Sequence, residues 1–328
     1  MAPRFPTDLR DEDQPLLGQL AEVPLRPTFI MGLHRSGTTW LYESLARVFG
    51  FASVTLHEVF CFPRLLARHA AGRSQEDQRL IDEHFRARGM DTRGIDGISL
   101  SHAMVEEYGW ILQRYAGDLK VSPKTKPVLD QLIRKVQHMH PEAPGVLLKN
   151  PWDTSNAARI AELYPDANFV FIARDPLRVI QSLYKNSLIF GGGDVYFLFL
   201  LMQGFPLGRT VIRCQRMLYR LVGEERYSKI ITRYLQDDVA RELAGYRDSF
   251  AALPALRKVE VTYSELAGDP QATLRRLGVF LGLEPDPDAL AAVTPRVRSA
   301  GALHPQIERI AAGFRARLER EGLWRTDV

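Results

Sequence analysis

Residues Pro27 to Leu41, PTFIMGLHRSGTTWL, constrain the fold more than any other stretch of the chain. Thr28 to Met31 is a short apolar run that predicts a buried strand. Gly32 permits a tight turn, and a helix opens near Thr38. A strand, a glycine loop and a helix start bring backbone N–H groups and the positive end of a helix dipole to one point. The unit is therefore an anion cradle. The spacing Gly32-x-x-x-x-Gly37 is that of a nucleotide P-loop. The next residues are Thr38-Thr39, where an ATP- or GTP-hydrolysing enzyme carries Lys-Ser or Lys-Thr. The missing lysine weighs against a triphosphate. The loop's cation stands instead at Arg35, two residues before the second glycine.

A second anion site is legible downstream. Asn168 to Ile172 is a short apolar run of the parallel-strand kind, followed by Ala173-Arg174-Asp175-Pro176 and a helical pattern. Pro176 suits a first helical turn, where its missing N–H costs nothing. Arg174 thus ends a strand, where α/β sheets place their ligands, and Ser182 follows on the helix. A forked permanent cation with a hydroxyl is what a dianionic phosphate requires. The plainer reading pairs Arg174 with Asp175 and leaves Ser182 merely exposed.

The order Arg35-Ser36-Gly37-Thr38-Thr39 resembles the 5′-phosphosulfate loop of the sulfotransferases that use 3′-phosphoadenosine 5′-phosphosulfate (PAPS), in particular their bacterial and tyrosylprotein-type branch. His34 stands where that family usually has proline. Arg174 and Ser182 resemble its 3′-phosphate site in residue type and spacing. Val261 to Leu266, Asp269-Pro270 and Phe280 to Leu283 resemble its late strand and helix. The resemblance implies donor contacts from His34, Arg35, Ser36, Gly37, Thr38, Thr39, Arg174 and Ser182, with Trp40 against the adenine. It also implies 3′,5′-adenosine bisphosphate as product. Arg35 would neutralise the leaving phosphate. Lys149, before Asn150-Pro151 at a strand end, would meet the sulfuryl group. Glu58, just past the second strand, would be the base, with the adjacent His57 as the alternative. A shielded Glu58 with a raised pKa suits that role. No metal is expected, because no His, Cys or carboxylate cluster has ligand spacing.

Composition sets outer bounds. The chain has 328 residues, 45% of them hydrophobic, enough for a full core. A net charge of +4 gives no argument for nucleic acid. Cys61 and Cys214 lie far apart and read as reduced thiols, which suggests a cytoplasmic setting. The charged, proline-bearing start reads as neither a signal peptide nor an anchor, so none is expected there. Val195 to Leu207, VYFLFLLMQGFPL, is too short to span a bilayer. It reads first as a buried helix. A greasy acceptor pocket or a peripheral membrane contact is its second reading. The acceptor, a hydroxyl or amine, stays open among a sugar, a lipid, a phenol, an amine and a protein tyrosine, and the run leans toward a hydrophobic one, a small molecule or a lipid. Oligomeric state has no sequence signature.

Strands are predicted at Thr28–Met31, Ala52–Thr55, Gly145–Leu148, Asn168–Ala173 and Val259–Thr262. Helices are predicted from Thr38, over Gln75–Arg88, Ser101–Tyr115, Pro127–His138 and Thr154–Leu163, then from Pro176 to about residue 252 with a break near Gly191 to Gly193. Gln271–Leu281 and Ile307–Leu323 close the chain. This alternation implies an α/β, P-loop-like three-layer fold, a mostly parallel central sheet with helices on both faces. Residues 1–26 read as an extension. Residues 27–328 read as a single domain with a helical acceptor-binding cap around 60–144. The competing readings are a P-loop nucleotide kinase and an inert nucleotide-binding module.

Overall fold

The computed structural model describes residues 10–94, 98–295 and 301–325. Five runs become strands: β1 (Pro27–Met31), β2 (Ala52–Ser53), β3 (Val146–Lys149), β4 (Asn168–Ala173) and β5 (Lys258–Thr262). All pair in parallel, in spatial order β2-β3-β1-β4-β5. Buried parallel strands read as continuous apolar runs, because both faces are covered. Successive side chains enter opposite cores. Phe29, Met31, Leu148 and Phe171 point into one. Ile30, Leu147, Val170 and Ile172 point into the other.

Helix α1 (Thr38–Phe49) links β1 to β2. Between β2 and β3 come α2 (Leu56–Cys61), α3 (Leu65–Ala70), α4 (Ser74–Arg86), α5 (Gly109–Ala116) and α6 (Lys126–Met139). Helix α7 (Ala157–Leu163) links β3 to β4. Then α8 (Pro176–Gly192), α9 (Tyr196–Leu201) and α10 (Pro206–Ala252) lead to β5. Last come α11 (Tyr263–Gly268), α12 (Pro270–Leu281), α13 (Pro287–Ala291) and α14 (Pro305–Arg320). Leu41 and Leu45 of α1, Leu274 of α12 and Leu290 of α13 cover one sheet face. Val59, Ile111, Leu132, Ile180, Leu235 and Phe314, from α2, α5, α6, α8, α10 and α14, belong to the core on the other. The expected three-layer architecture is present.

Three local expectations change. The predicted helix Ser101–Tyr115 shrinks to α5, because the segment before it lies alongside the chain entering α2. There Thr55 and Val105 form an antiparallel bridge. Leu56 N–H donates to Met104 O and Glu106 N–H to Val54 O, both at 2.9 Å. Second, β2 stops at Ser53, and Thr55 begins a helix instead of ending a strand. Third, α10 is two helical runs joined at Gly223, whose φ of 75° and ψ of 165° are accessible only to glycine.

The segment before β1 is bound to the body. Asp13 is fully buried and pairs with the equally buried Lys135 of α6 at 2.7 Å. Its carboxylate also accepts from the N–H groups of Leu66 and Ala67 at the start of α3. Residues 10–26 therefore clamp α3 to α6.

Candidate active site

The strand ends define one edge. Ile30 lies beside Lys149, Met31 beside Phe171, and Ala173 beside Thr262. The loop after β1, Lys149, Arg174 and Tyr263 therefore emerge together at the carboxyl end of the sheet. The strand order reverses around β1, which is where such sheets open a ligand crevice.

The loop after β1 is shaped by its backbone. Arg35 and Gly37 both adopt left-handed conformations, with φ of 70° and 103°. Left-handed residues in such a turn aim neighbouring N–H groups inward and make an anion nest. A Cβ at Gly37 would lie 2.6 Å from the Tyr263 ring, and one at Gly32 would lie 2.8 Å from Ile172. Only glycine fits either place. Gly37, the residue that precedes α1, has no side chain with which to cap that helix's first turn. Thr154 ties the loop down, its hydroxyl accepting from Gly32 N–H at 3.0 Å and donating to Gly32 O at 2.8 Å. Ser36 turns inward, donating to Leu33 O at 2.7 Å.

Arg35, Arg174 and Ser182 meet in one network. Arg35 Nε donates to Ser182 Oγ at 2.9 Å, and Arg174 Nη1 donates to Arg35 O at 2.7 Å. The Arg174 guanidinium lies 4.1 Å above the Tyr263 ring, a cation–π contact that holds it over the edge. Trp40 meets the same tyrosine edge-on at 6.1 Å. His34 packs against Trp152, and burial lowers its pKa to about 4, so it is neutral at physiological pH.

Lys149 lies just behind the cleft wall, almost fully buried. Its Nζ donates to Thr39 Oγ1 at 3.1 Å and pairs with Glu107 at 2.9 Å. Glu107 also accepts from Trp110 Nε1 at 3.2 Å, while Glu106 accepts from the Glu107 N–H at 3.1 Å. Their environments push the two carboxyls apart. Burial, then the charge of Glu107, raises Glu106 well above the ordinary range. Burial would raise Glu107 too, but the Lys149 ammonium, a hydrogen bond from Glu106 and the charge of Arg93 together outweigh it and hold that carboxyl low. Both glutamates line the cleft. A helix through residues 101–115 hides this pair, since helical spacing gives adjacent acids no shared target. The available signal was two acids inside an apolar run, Met104 to Trp110.

Glu58 and His57 are not brought to the cleft. Both lie inside α2, where Glu58 closes a capping box: its carboxylate accepts from Thr55 N–H at 2.8 Å and from Thr55 Oγ1 at 2.5 Å. Its other oxygen meets His57 Nδ1 at 3.1 Å. Burial would raise the Glu58 carboxyl, but the bonds from His57 and Thr55 leave it below the ordinary range. Of Glu58, Glu106 and Glu107, Glu106 is the one whose carboxyl is pushed up. His57, Cys61 and Asp77 also bring three possible ligand atoms within 4.8 Å of one another. Arg64 and Arg68 occupy the Asp77 carboxylate, and two guanidinium groups oppose a cation there.

The cleft holds about 810 Å³. Its polar end is the loop, with His34, Arg35 and Thr39, together with Arg174 and Glu107. Away from the loop, Phe190, Phe197, Leu198, Leu201 and Met202 of α8, α9 and the turn after it give the cleft an arm with mainly apolar walls, with Asn186, Ser187 and Asp194 among them. The run after Val195 is thus a helix, and it also walls a cavity.

Residues 27–197 match the profile of a family described as Sulfotransferase family. Two curated relatives carry the name omega-hydroxy-beta-dihydromenaquinone-9 sulfotransferase Stf3, one from Mycobacterium bovis (strain ATCC BAA-935 / AF2122/97) and one from Mycobacterium tuberculosis (strain CDC 1551 / Oshkosh). Each is 25% identical over 284 residues, covering 78% of this chain and 63% of the relative. The chain therefore spans a little under two thirds of their length. The crystal structure of sulfotransferase STF9 from Mycobacterium avium superposes with a TM-score of 0.58 at 17% identity, covering 94% of this chain and 79% of that one. Sulfotransferase STF1 from Mycobacterium tuberculosis H37Rv gives 0.54 at 16%, covering 93% and 80%. These two show the same fold.

Proposed function

The chain belongs to the sulfotransferase family, and from that premise we propose that it moves a sulfuryl group from PAPS to the hydroxyl of an apolar, lipid-like acceptor. The observation that carries this reading is the shape of the cleft: an anion nest at one end and an apolar arm leading to it. The relatives' name, with its menaquinone, is in keeping with such an acceptor.

The residues fit the donor. The nest at Arg35 and Gly37 receives its 5′ anion, Arg174 and Ser182 its 3′-phosphate, and Trp40 with Tyr263 offers aromatic surface to its base. When bound, the donor supplies an activated sulfuryl group that transfers in line, by analogy with phosphoryl transfer. Catalysis is then positioning and charge stabilisation. Arg35 neutralises the departing phosphate. Lys149 shares its charge between Glu107 and the sulfuryl oxygens beside Thr39. Glu107 is our choice for the acceptor proton, since it is ionised, faces the cleft and is aimed by Trp110. As Lys149 turns toward the donor, its hold on Glu107 weakens and the carboxylate becomes more basic. Glu58 supports this arrangement by fixing α2. The reading requires no metal.

Residues from Pro27 onward act as one domain in this reading, with residues 60–144 supplying one wall of the acceptor arm. Its free thiols, Cys61 and Cys214, suit a cytoplasmic setting. A kinase would need a lysine where Thr38 stands. The deciding experiment incubates the protein with sulfur-labelled PAPS and three acceptors: 1-decanol, glucose and p-nitrophenol. Label on decanol above label on glucose is the expected result. Label on none of the three rejects the reading.

A further inference from the structure

The first half of α10, Pro206 to Val222, has an outer face that the catalytic reading does not use. Leu207, Val211, Met217 and Leu221 are exposed by 68%, 56%, 59% and 74%. Cys214 is exposed between them. Their spacing of three and four residues places them in one stripe along the helix. Large apolar side chains exposed together, not scattered singly, mark a contact surface.

The charge within this stretch is of one sign, and the acids Glu224 and Glu225 that follow Gly223 are engaged by Tyr219 and Lys229. This stretch holds four arginines and no Asp or Glu. Arg209 and Arg216 fasten the helix to the chain around α9, donating to Phe199 O at 2.7 Å and Gly193 O at 2.6 Å. Arg213 and Arg220 are exposed beside the stripe. The opposite side of the same turn faces inward: Ile212, between Val211 and Arg213, lines the apolar arm of the cleft. One helix thus separates an apolar cavity from an apolar, cationic exterior.

We propose that this outer face of α10 rests on the surface of an anionic phospholipid membrane. An apolar stripe flanked by arginines is the pattern of a helix lying in the headgroup region, where side chains bury in the acyl boundary and cations meet lipid phosphates. No described helix is long and apolar enough to cross a membrane, so contact is at the surface. The placement also sets the acceptor arm against the phase where lipid alcohols reside. The inference does not depend on the transfer reaction, because docking is measured with neither donor nor acceptor.

The test is co-sedimentation with vesicles of phosphatidylcholine, with and without phosphatidylglycerol. The protein pellets with the anionic vesicles, less with the neutral ones, and high salt releases it. Arg213→Glu with Arg220→Glu lowers the partition coefficient roughly fivefold per arginine. Val211→Glu, Met217→Glu and Leu221→Glu together lower it at least about tenfold. Because all five positions are exposed, melting temperatures stay near that of the parent. Three results overturn the proposal: a parent that stays in the supernatant with both vesicles, variants that pellet as well as the parent, or a dimer in sedimentation velocity that the triple variant splits. The last would mean that a second copy covers this face. Transfer to decanol with no vesicle binding would remove this inference alone and leave the proposed reaction standing.

Discussion

Glu107 and Glu58 differ less in chemistry than in what touches them. Glu107 has the cleft on one side and Lys149 on the other, whereas Glu58 spends both oxygens on its own helix. Glu107→Gln is expected to lower kcat by about 10²- to 10⁴-fold with bisphosphate affinity unchanged. Glu58→Gln keeps an acceptor for Thr55 N–H but loses the charge on its bonds to Thr55 and His57, and costs about 1 kcal/mol of stability with a much smaller loss of kcat. Steady-state kinetics beside thermal melting separates the two, and the reversed pattern returns the base to α2. His34 makes a pH prediction. Burial lowers its pKa from 6.5 to about 4. Between those values the unfolded chain binds a proton that the folded loop refuses, so stability falls as pH drops through that window and is intact above it. His34→Gln should flatten this part of the melting-temperature profile. An unchanged slope would show that other groups cause it.

At the scale of elements, the contacts that shape the site are made by segments far apart in sequence. The chain entering α2, Val54 to Leu56, pairs with the residues before α5, and this places Glu106 and Glu107 in the cleft wall. The N-terminal clamp works similarly. Asp13 caps α3 and neutralises Lys135 on α6, and burial already lowers the Lys135 ammonium below its usual pKa. Asp13→Ala leaves that buried ammonium its bond to Phe62 O but takes away its carboxylate, at a cost of about 3–5 kcal/mol. Urea denaturation reads the loss. Adding Lys135→Met should recover much of it, since an apolar pair of similar volume is tolerated. If the double variant is no better than the single, the capping of α3 is the larger contribution.

For the whole molecule, the parallel sheet brings the two proposed anion sites to one edge, linked through the Arg35–Ser182 and Arg174–Arg35 bonds. Ligand binding there couples to global stability. At a hundredfold excess over its dissociation constant, 3′,5′-adenosine bisphosphate should add about 2.7 kcal/mol, without magnesium. Magnesium-ATP should add much less. In Arg174→Ala the bisphosphate increment shrinks, through loss of charged hydrogen bonds worth about 1.5–3 kcal/mol. A full increment in that variant would place the 3′-phosphate elsewhere.

The loop from Gly32 to Thr39, the strands β1, β3 and β4, and the strand-end positions of Lys149 and Arg174 were legible in the amino-acid sequence. Each rests on contiguous residues: a short apolar run, a glycine with no alternative, or a cation one step past a strand. The orientation of Glu106 and Glu107 was not legible, because an antiparallel bridge between residues fifty positions apart overrode local helical spacing. Nor was the double use of the Val195 run, since apolar side chains follow the same pattern whether they face a protein core or a cavity built for an apolar guest. The backbone and its nearest neighbours determined where the glycine loop and the strand-end cations stand. Only the tertiary packing decided which carboxylate faces them and what lies at the far end of the cleft.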